Sequence, residues 1–187
     1  STSLLFHGFG ISGYIYKKTE YKEGRIIFHI ERNESKRLCK ECGSFNVIKK
    51  GYTIREFKTV PIGSKEVYLS LRVHRLYCRN CGALKLESIP FAFPKKHWTK
   101  MLGRYVVDLL KHATIEDVAN HLGMSWNTVR DIHLWALKKR FKKRRINCLR
   151  YLGVDELSVR KGHSYLTVVV DLESGNIVWV SEDRKTS

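Results

Sequence analysis

The sequence predicts an α+β, multi-domain chain: β-rich at first, all-α in the middle and β again at the end. Three observations carry this. Two Cys-x-x-Cys pairs, Cys39/Cys42 and Cys78/Cys81, frame a long strand-like insert. Apolar residues alternate every second position before Pro90 and recur at a helical period after Pro94. From Leu149 onward the chain returns to strand-like runs bounded by turn residues. With 187 residues it can form one large domain or two to three small ones, and 43% hydrophobic content is enough for real cores.

The first element is a hairpin. Alternating apolar residues flank Lys22-Glu23-Gly24, which predicts strands over residues 11–18 and 25–31. The first cysteine knuckle follows. Two further strands, residues 52–61 and 66–77, are joined by Ile62-Gly63-Ser64. In the second, Val67, Leu69, Leu71 and Val73 alternate with Tyr68, Ser70, Arg72 and His74, a half-buried strand with a polar outer face. This hairpin delivers the chain to the second knuckle.

Each cysteine pair can donate two thiolates to one tetrahedral Zn2+, because a two-residue spacing lets a tight turn point both sulfurs the same way. Both pairs run into glycine, Gly43 and Gly82, which suits that turn. Four protein ligands leave no open position, so the zinc is structural. The competing readings are two redox dithiols or unrelated buried thiols. A reducing cytosol disfavours disulfides, and a redox motif is not expected twice. Cys148 reads as a small core residue. His29 and His74 are rival ligands that a complete set of four cysteines makes unnecessary.

Pro90 and Pro94 mark a boundary. Beyond them Leu102, Tyr105, Val106, Leu109, Leu110 and Ala113 form the stripe of a first helix with Thr99 as N-cap. Thr114 opens a second helix through a Thr-x-x-Asp capping box with Asp117, and Ile115, Val118, Ala119 and Leu122 form its buried face. Gly123 ends it in the left-handed conformation. Ser125 caps a third helix whose inner side is Val129, Ile132 and Ala136.

Helix, short glycine-containing turn and helix make a helix-turn-helix, which sets the start of the last helix into the major groove of DNA. Trp126, Asn127, Thr128, Arg130 and Asp131 are the candidates to face the duplex. Asn and Arg suit adenine and guanine edges, and Thr128 suits a base or a phosphate. Trp126 has a second reading, as packing between helices. The alternative for the whole segment is a helical hairpin with no DNA role.

Charge supports the DNA reading. The chain carries a net charge of +17, and from position 138 to 145 every residue except Phe141 is Lys or Arg. Lys138, Lys139, Arg140, Lys142, Lys143, Arg144 and Arg145 therefore read as phosphate contacts that extend the recognition helix. A membrane surface fits less well, because the block lacks a broad apolar face. No apolar run approaches the ~20 residues of a membrane span. The opening residues lack the features of a secretory signal, and the expected location is cytoplasmic.

The last region reads as a strand over residues 149–156 ending in Asp155 and Glu156, then a β-branched strand over residues 165–172. A turn at Glu173-Ser174-Gly175-Asn176 leads to a third strand over residues 177–180. An acid at the end of a strand followed by a β-meander is how a ribonuclease-H-like nuclease domain would begin.

The order of these parts resembles one family. The hairpin, the two knuckles, Gly123-Met-Ser-Trp126-Asn-Thr-Val and Gly153-Val-Asp155-Glu156 followed by Arg160-Lys-Gly-His-Ser-Tyr together look like the N-terminal part of a bacterial ISL-three-family insertion-sequence transposase of the DDE type. The resemblance implies a zinc-ribbon domain over residues 1–92, a helix-turn-helix domain over 93–147 and the start of a ribonuclease-H-like catalytic domain over 148–187. It implies recognition of the terminal inverted repeats of the element in double-stranded DNA, and strand cleavage and joining with two Mg2+ ions. Asp155 matches the first acid of the catalytic triad. The sequence stops at Ser187, before the second and third acids are expected, so the chain is expected to be catalytically incomplete. Asp171 is assigned to turn chemistry, and His163 to structure or substrate contact. Val168, Val169 and Val170 are expected to seek a partner strand, so that the tail is partly disordered, swapped between chains or packed as a homodimer contact. The alternative function is a stand-alone zinc-ribbon/helix-turn-helix transcriptional regulator. A ribbon that binds RNA or a protein leaves the recognition helix unexplained.

Overall fold

The computed structural model describes residues 4–140, 149–160 and 164–181. The chain forms two compact units, Ser1–Ala136 and Leu137–Ser187.

The first unit is built on one sheet. Strands β1 (Tyr14–Lys22) and β2 (Arg25–Arg32) form the first hairpin, and β3 (Val47–Ile62) and β4 (Lys65–Cys78) form the second. The strand order is β1-β2-β4-β3, and a short strand β5 (Leu84–Leu86) pairs with β4. Both hairpins are antiparallel, but β2 and β4 run parallel, with Phe28 opposite Leu69. The first turn places Glu23 at φ 51° and Gly24 at φ 76°, the mirror-image geometry that matches strand twist.

The apolar side of the expected alternation on β4 holds, but on its polar side Ser70 and His74 are buried as well, and only Tyr68 and Arg72 keep contact with solvent. Val67, Leu69, Leu71 and Val73 are buried and join Phe28, Ile30, Phe57 and Phe91 in one core. Some boundaries differ. Ile11 is core, but it precedes the strand: a short helix α1 (Leu4–His7) and the loop after it send Leu5, Phe9 and Ile11 into the sheet. Strand β1 then runs on to Lys22, and β3 starts at Val47, before the apolar alternation becomes legible.

Three helices complete the unit. In α2 (Lys100–Leu109), Thr99 accepts a hydrogen bond from the Leu102 amide as N-cap. The helix stops before Ala113, which is exposed. Helix α3 (Ile115–Leu122) carries the complete Thr114–Asp117 capping box and ends on Gly123 at φ 56°. Helix α4 spans Trp126–Arg140. Leu102, Val106, Val118, Ala119, Leu122, Val129 and Ile132 form their shared core with Trp98. Ala136 is only half-buried.

The helices are fastened to β3. The Thr99 amide donates to the Lys58 carbonyl at 2.9 Å and the Lys58 amide to the His97 carbonyl at 2.9 Å. The Thr99 hydroxyl donates to that of Thr59 at 3.0 Å in a fully buried contact. Lys58 Nζ reaches the Gly123 carbonyl at 2.9 Å, so one strand residue grips the turn between α3 and α4.

The second unit contains a three-stranded antiparallel sheet, β6 (Leu152–Arg160), β7 (Ser164–Asp171) and β8 (Ile177–Ser181), in the order β6-β7-β8. The meander is as expected, with two corrections. Strand β6 does not end at the acids: Asp155 and Glu156 lie in its middle, opposite Val168 and Thr167. Val168, Val169 and Val170 already have partners on both sides, because β7 is the central strand.

Candidate metal centre and nucleic-acid interface

The two knuckles fold alike. In each, the glycine amide donates to the carbonyl of the first cysteine: Gly43 to Cys39 at 3.1 Å and Gly82 to Cys78 at 2.9 Å. Both glycines sit at φ 70°, where a β-carbon is disfavoured. The Cys39 amide closes onto the Ser44 carbonyl and the Cys78 amide onto the Ala83 carbonyl, both within 2.9 Å. The β3–β4 ladder, with Val47 opposite Cys78, brings the knuckles together.

All four sulfurs lie within 4.8 Å of one another. Cys39 and Cys81 are 3.7 Å apart, and Cys42 and Cys78 are 3.5 Å apart. Four thiolates on a tetrahedral zinc with ~2.3 Å bonds stand ~3.8 Å apart, so the donor set fits a structural Zn2+. Proton loss from such a cluster is uneven. The Cys81 amide, working against burial, helps hold the Cys78 thiol down to about 7. Against a hydrogen bond from the Ala83 amide, burial and the neighbouring thiols push Cys81 up to about 12. Cys39, Cys42, Cys78 and Cys81 would hold the ion as thiolates, and its charge would offset their crowding.

Neither rival histidine joins the thiols. His29 Nε2 pairs with Glu20 at 3.0 Å, and burial holds the His74 imidazole below its ordinary value. The His74 amide donates to Glu87 Oε1 at 2.8 Å, and Glu87 lies 3.5 Å from the buried Arg37 guanidinium. Arg37 also pairs with Glu34 at 2.8 Å, so ion pairs anchor the base of the first knuckle to the sheet. Among the described residues the four cysteines are the one group of three or more metal-ligating side chains.

The helix-turn-helix presents the start of α4 outward. Its N-cap is Ser125, whose Oγ accepts from the Thr128 amide at 3.2 Å. The Thr128 hydroxyl shares a 2.8 Å hydrogen bond with that of Ser125. Trp126 does not pack between helices: it is 47% exposed, and the Arg130 guanidinium lies 5.5 Å from its ring centre. Arg130 Nη2 donates to Asp131 Oδ1 at 3.1 Å, and Lys96 Nζ stands 4.0 Å from the same carboxylate. Asn127 is exposed.

The pattern did not single out Leu134, a 45%-exposed leucine on the outer side of α4. Its signal was spacing: it sits seven residues after Asn127 and four after Arg130, on the side opposite Val129 and Ile132. Lys138, Lys139 and Arg140 occupy the last turn of α4. Lys142, Lys143, Arg144, Arg145, Cys148 and His163 lie outside the described residues.

Asp155 is exposed on β6, with Oδ1 accepting from the Glu156 amide at 2.8 Å. The carboxylate of Asp171 closes the β7–β8 turn by accepting from the Glu173 amide and the Ser174 hydroxyl. The Ser174 bond holds Asp171 below the usual carboxylate range.

Comparison with known families accounts for this order of parts. Residues 35–81 match the zinc-finger of transposases IS204/IS1001/IS1096/IS1165, and residues 87–132 match the helix-turn-helix domain of transposase family ISL3. Residues 152–187 match the transposase model of the same family.

The chain belongs to the ISL3 transposase family.

It is 28% identical over 178 residues to the transposase for insertion sequence element IS1001 of Bordetella parapertussis, covering 94% of this chain and 44% of that protein. It is 30% identical over 161 residues to the transposase for IS1557 of Mycobacterium tuberculosis (strain CDC 1551 / Oshkosh), covering 84% of this chain and 36% of that protein. The ISL3 chain thus spans less than half the length of these relatives. No solved structure matches it. None of its described helices is long and apolar enough to cross a membrane.

Proposed function

We propose that this ISL3 chain recognises the ends of an insertion element, the terminal inverted repeats in double-stranded DNA, through α4. The observation that carries the reading is the exposed start of that helix, with Asn127 and an Arg130 held in place between Trp126 and Asp131. Asn127 and Arg130 read base edges, and Trp126 and Thr128 lie against the sugar-phosphate strand. Lys138, Lys139, Arg140, Lys142, Lys143, Arg144 and Arg145 neutralise phosphates. In this reading the functional division is zinc ribbon over residues 1–92, helix-turn-helix over 93–147 and catalytic region over 148–187.

Asp155 is proposed as the first metal-binding acid of the catalytic region. Its chemistry there would be to share two Mg2+ ions with further carboxylates, activating one oxygen and stabilising another. No second acid stands with it in a group of three among the described residues. This polypeptide alone is therefore expected to show no Mg2+-dependent nicking, before or after Asp155→Ala. Pairing of two copies through an outer strand of the β6–β8 sheet belongs to the same proposal. It is supported by the exposure of Val154, Ile177 and Trp179.

The test is titration of the chain against inverted-repeat duplex and a scrambled duplex over a range of salt. Tighter binding to the repeat, with log K falling steeply in log salt, is expected. Absent or salt-independent binding would defeat the proposal. Preference for a promoter operator over the repeat would favour the transcriptional regulator.

A further inference from the structure

Resting on the DNA-reading role of α4, we infer that Leu134 is a base-reading residue that recognises the 5-methyl group of one thymine. The outer side of α4 carries Asn127, Arg130, Asp131 and Leu134, positions i, i+3, i+4 and i+7. Homeodomain-type recognition helices reach bases in the major groove with this same spacing. Val129 and Ile132 point the other way, into the helical core, which fixes the rotation of α4.

The neighbours of Leu134 on that row are ordered for polar reading. Arg130 is stacked at 5.5 Å on Trp126 and tied at 3.1 Å to Asp131. Leu134 alone among the four offers no hydrogen bond, and 45% of its surface remains exposed. An aliphatic side chain in the major groove has one specific partner there, the thymine methyl, because every other exposed edge feature is a donor or an acceptor. From Asn127 to Leu134 the helix rises ~10 Å, about three base-pair steps. The thymine therefore lies about three base pairs from the position read by Asn127.

The experiment uses the full 187-residue chain. Duplexes are selected from a random pool, and each thymine of the selected site is replaced in turn by deoxyuridine, which removes only the methyl. At one thymine, binding should weaken roughly three- to fivefold, the effect of exposing one methyl-sized group. Leu134→Ala should bind the original duplex more weakly by a similar factor and be indifferent to the replacement. As a surface change it should leave the circular-dichroism spectrum unaltered. Absence of a methyl effect, or a methyl effect that persists in Leu134→Ala, overturns the assignment while leaving DNA recognition by α4 intact. Unchanged DNA affinity with altered self-association in Leu134→Ala overturns it too, by placing the leucine in a protein contact. Failure to select any duplex defeats the DNA-reading role itself.

Discussion

Gly123→Ala tests how the DNA-reading helices are attached to the sheet. Gly123 sits at φ 56° and ψ 45°, where an L-residue costs about 1–2 kcal/mol. A β-carbon there would also lie 2.2 Å from Glu66 Oε1 and 3.3 Å from Lys58 Nζ. Glu66 is held by Lys58 at 2.5 Å, by Tyr68 at 3.0 Å and by Arg25 at 3.5 Å. It must swing away, giving up the Lys58 pair, which is worth roughly a further 1 kcal/mol at this partly exposed site. The total is about 2–3 kcal/mol. With a urea m-value of roughly 2 kcal/mol/M, the unfolding midpoint falls by about 1–1.5 M. In a Glu66→Ala background the second contribution vanishes, and Gly123→Ala should cost only about 1–2 kcal/mol. The double-mutant cycle isolates this coupling. A Gly123→Ala midpoint within ~0.2 M of the parent, or the same penalty with and without Glu66, would refute the steric argument.

Four other measurements follow from the geometry. Metal analysis should find one zinc per chain, and Cys78→Ser should lose it and release the strand ends around Val47. Thr99→Ala removes an N-cap and leaves the buried Thr59 hydroxyl without its donor, so chemical denaturation should show a loss of about 2 kcal/mol. The Thr114 hydroxyl and amide hold the Asp117 carboxyl below its ordinary 3.8. A lowered folded-state pKa means the cap contributes fully above that ordinary value and fades as pH falls through the lowered one. Acid titration by circular dichroism should show this helix loss, and Asp117→Asn should remove the pH dependence. Arg130→Ala should relax sequence preference in duplex selection, whereas Lys138→Ala with Lys139→Ala should weaken all duplexes alike and flatten the salt slope.

Much of this was legible in the sequence because it is local. A cysteine spacing, a Thr-x-x-Asp box and a glycine after an apolar stripe each name their own geometry within a few residues. The knuckles, the caps at Thr99, Thr114 and Ser125, and the glycine turn are of this kind. What escaped depends on distant partners. The parallel pairing of β2 with β4 leaves no local trace, since both strands show the same alternation as antiparallel ones. Asp155 and Glu156 look like a strand end by composition, yet the ladder with β7 carries β6 past them to Arg160. Trp126 is an apolar residue at a helix start, and only the packing of Trp98 into the helical core shows that the interior was already filled. Leu134 was hidden because an exposed leucine cannot be distinguished from a buried one until the rotation of α4 is known.

The cysteine cluster and the helical turn lie at opposite ends of the same two strands. From Cys78 to Glu66, β4 covers roughly 40 Å at ~3.3 Å per residue. At the turn end, Gly63 closes the hairpin and Lys58 clasps Gly123. Demetallation would therefore unzip the ladder from the cysteine end, while the clasp stays shut behind its own hairpin. In hydrogen exchange the amides around Lys49 would lose protection first and those around Phe57 much later. The ion would act as a distal fastener, and the reading helix would keep its mooring through the early stages of its loss.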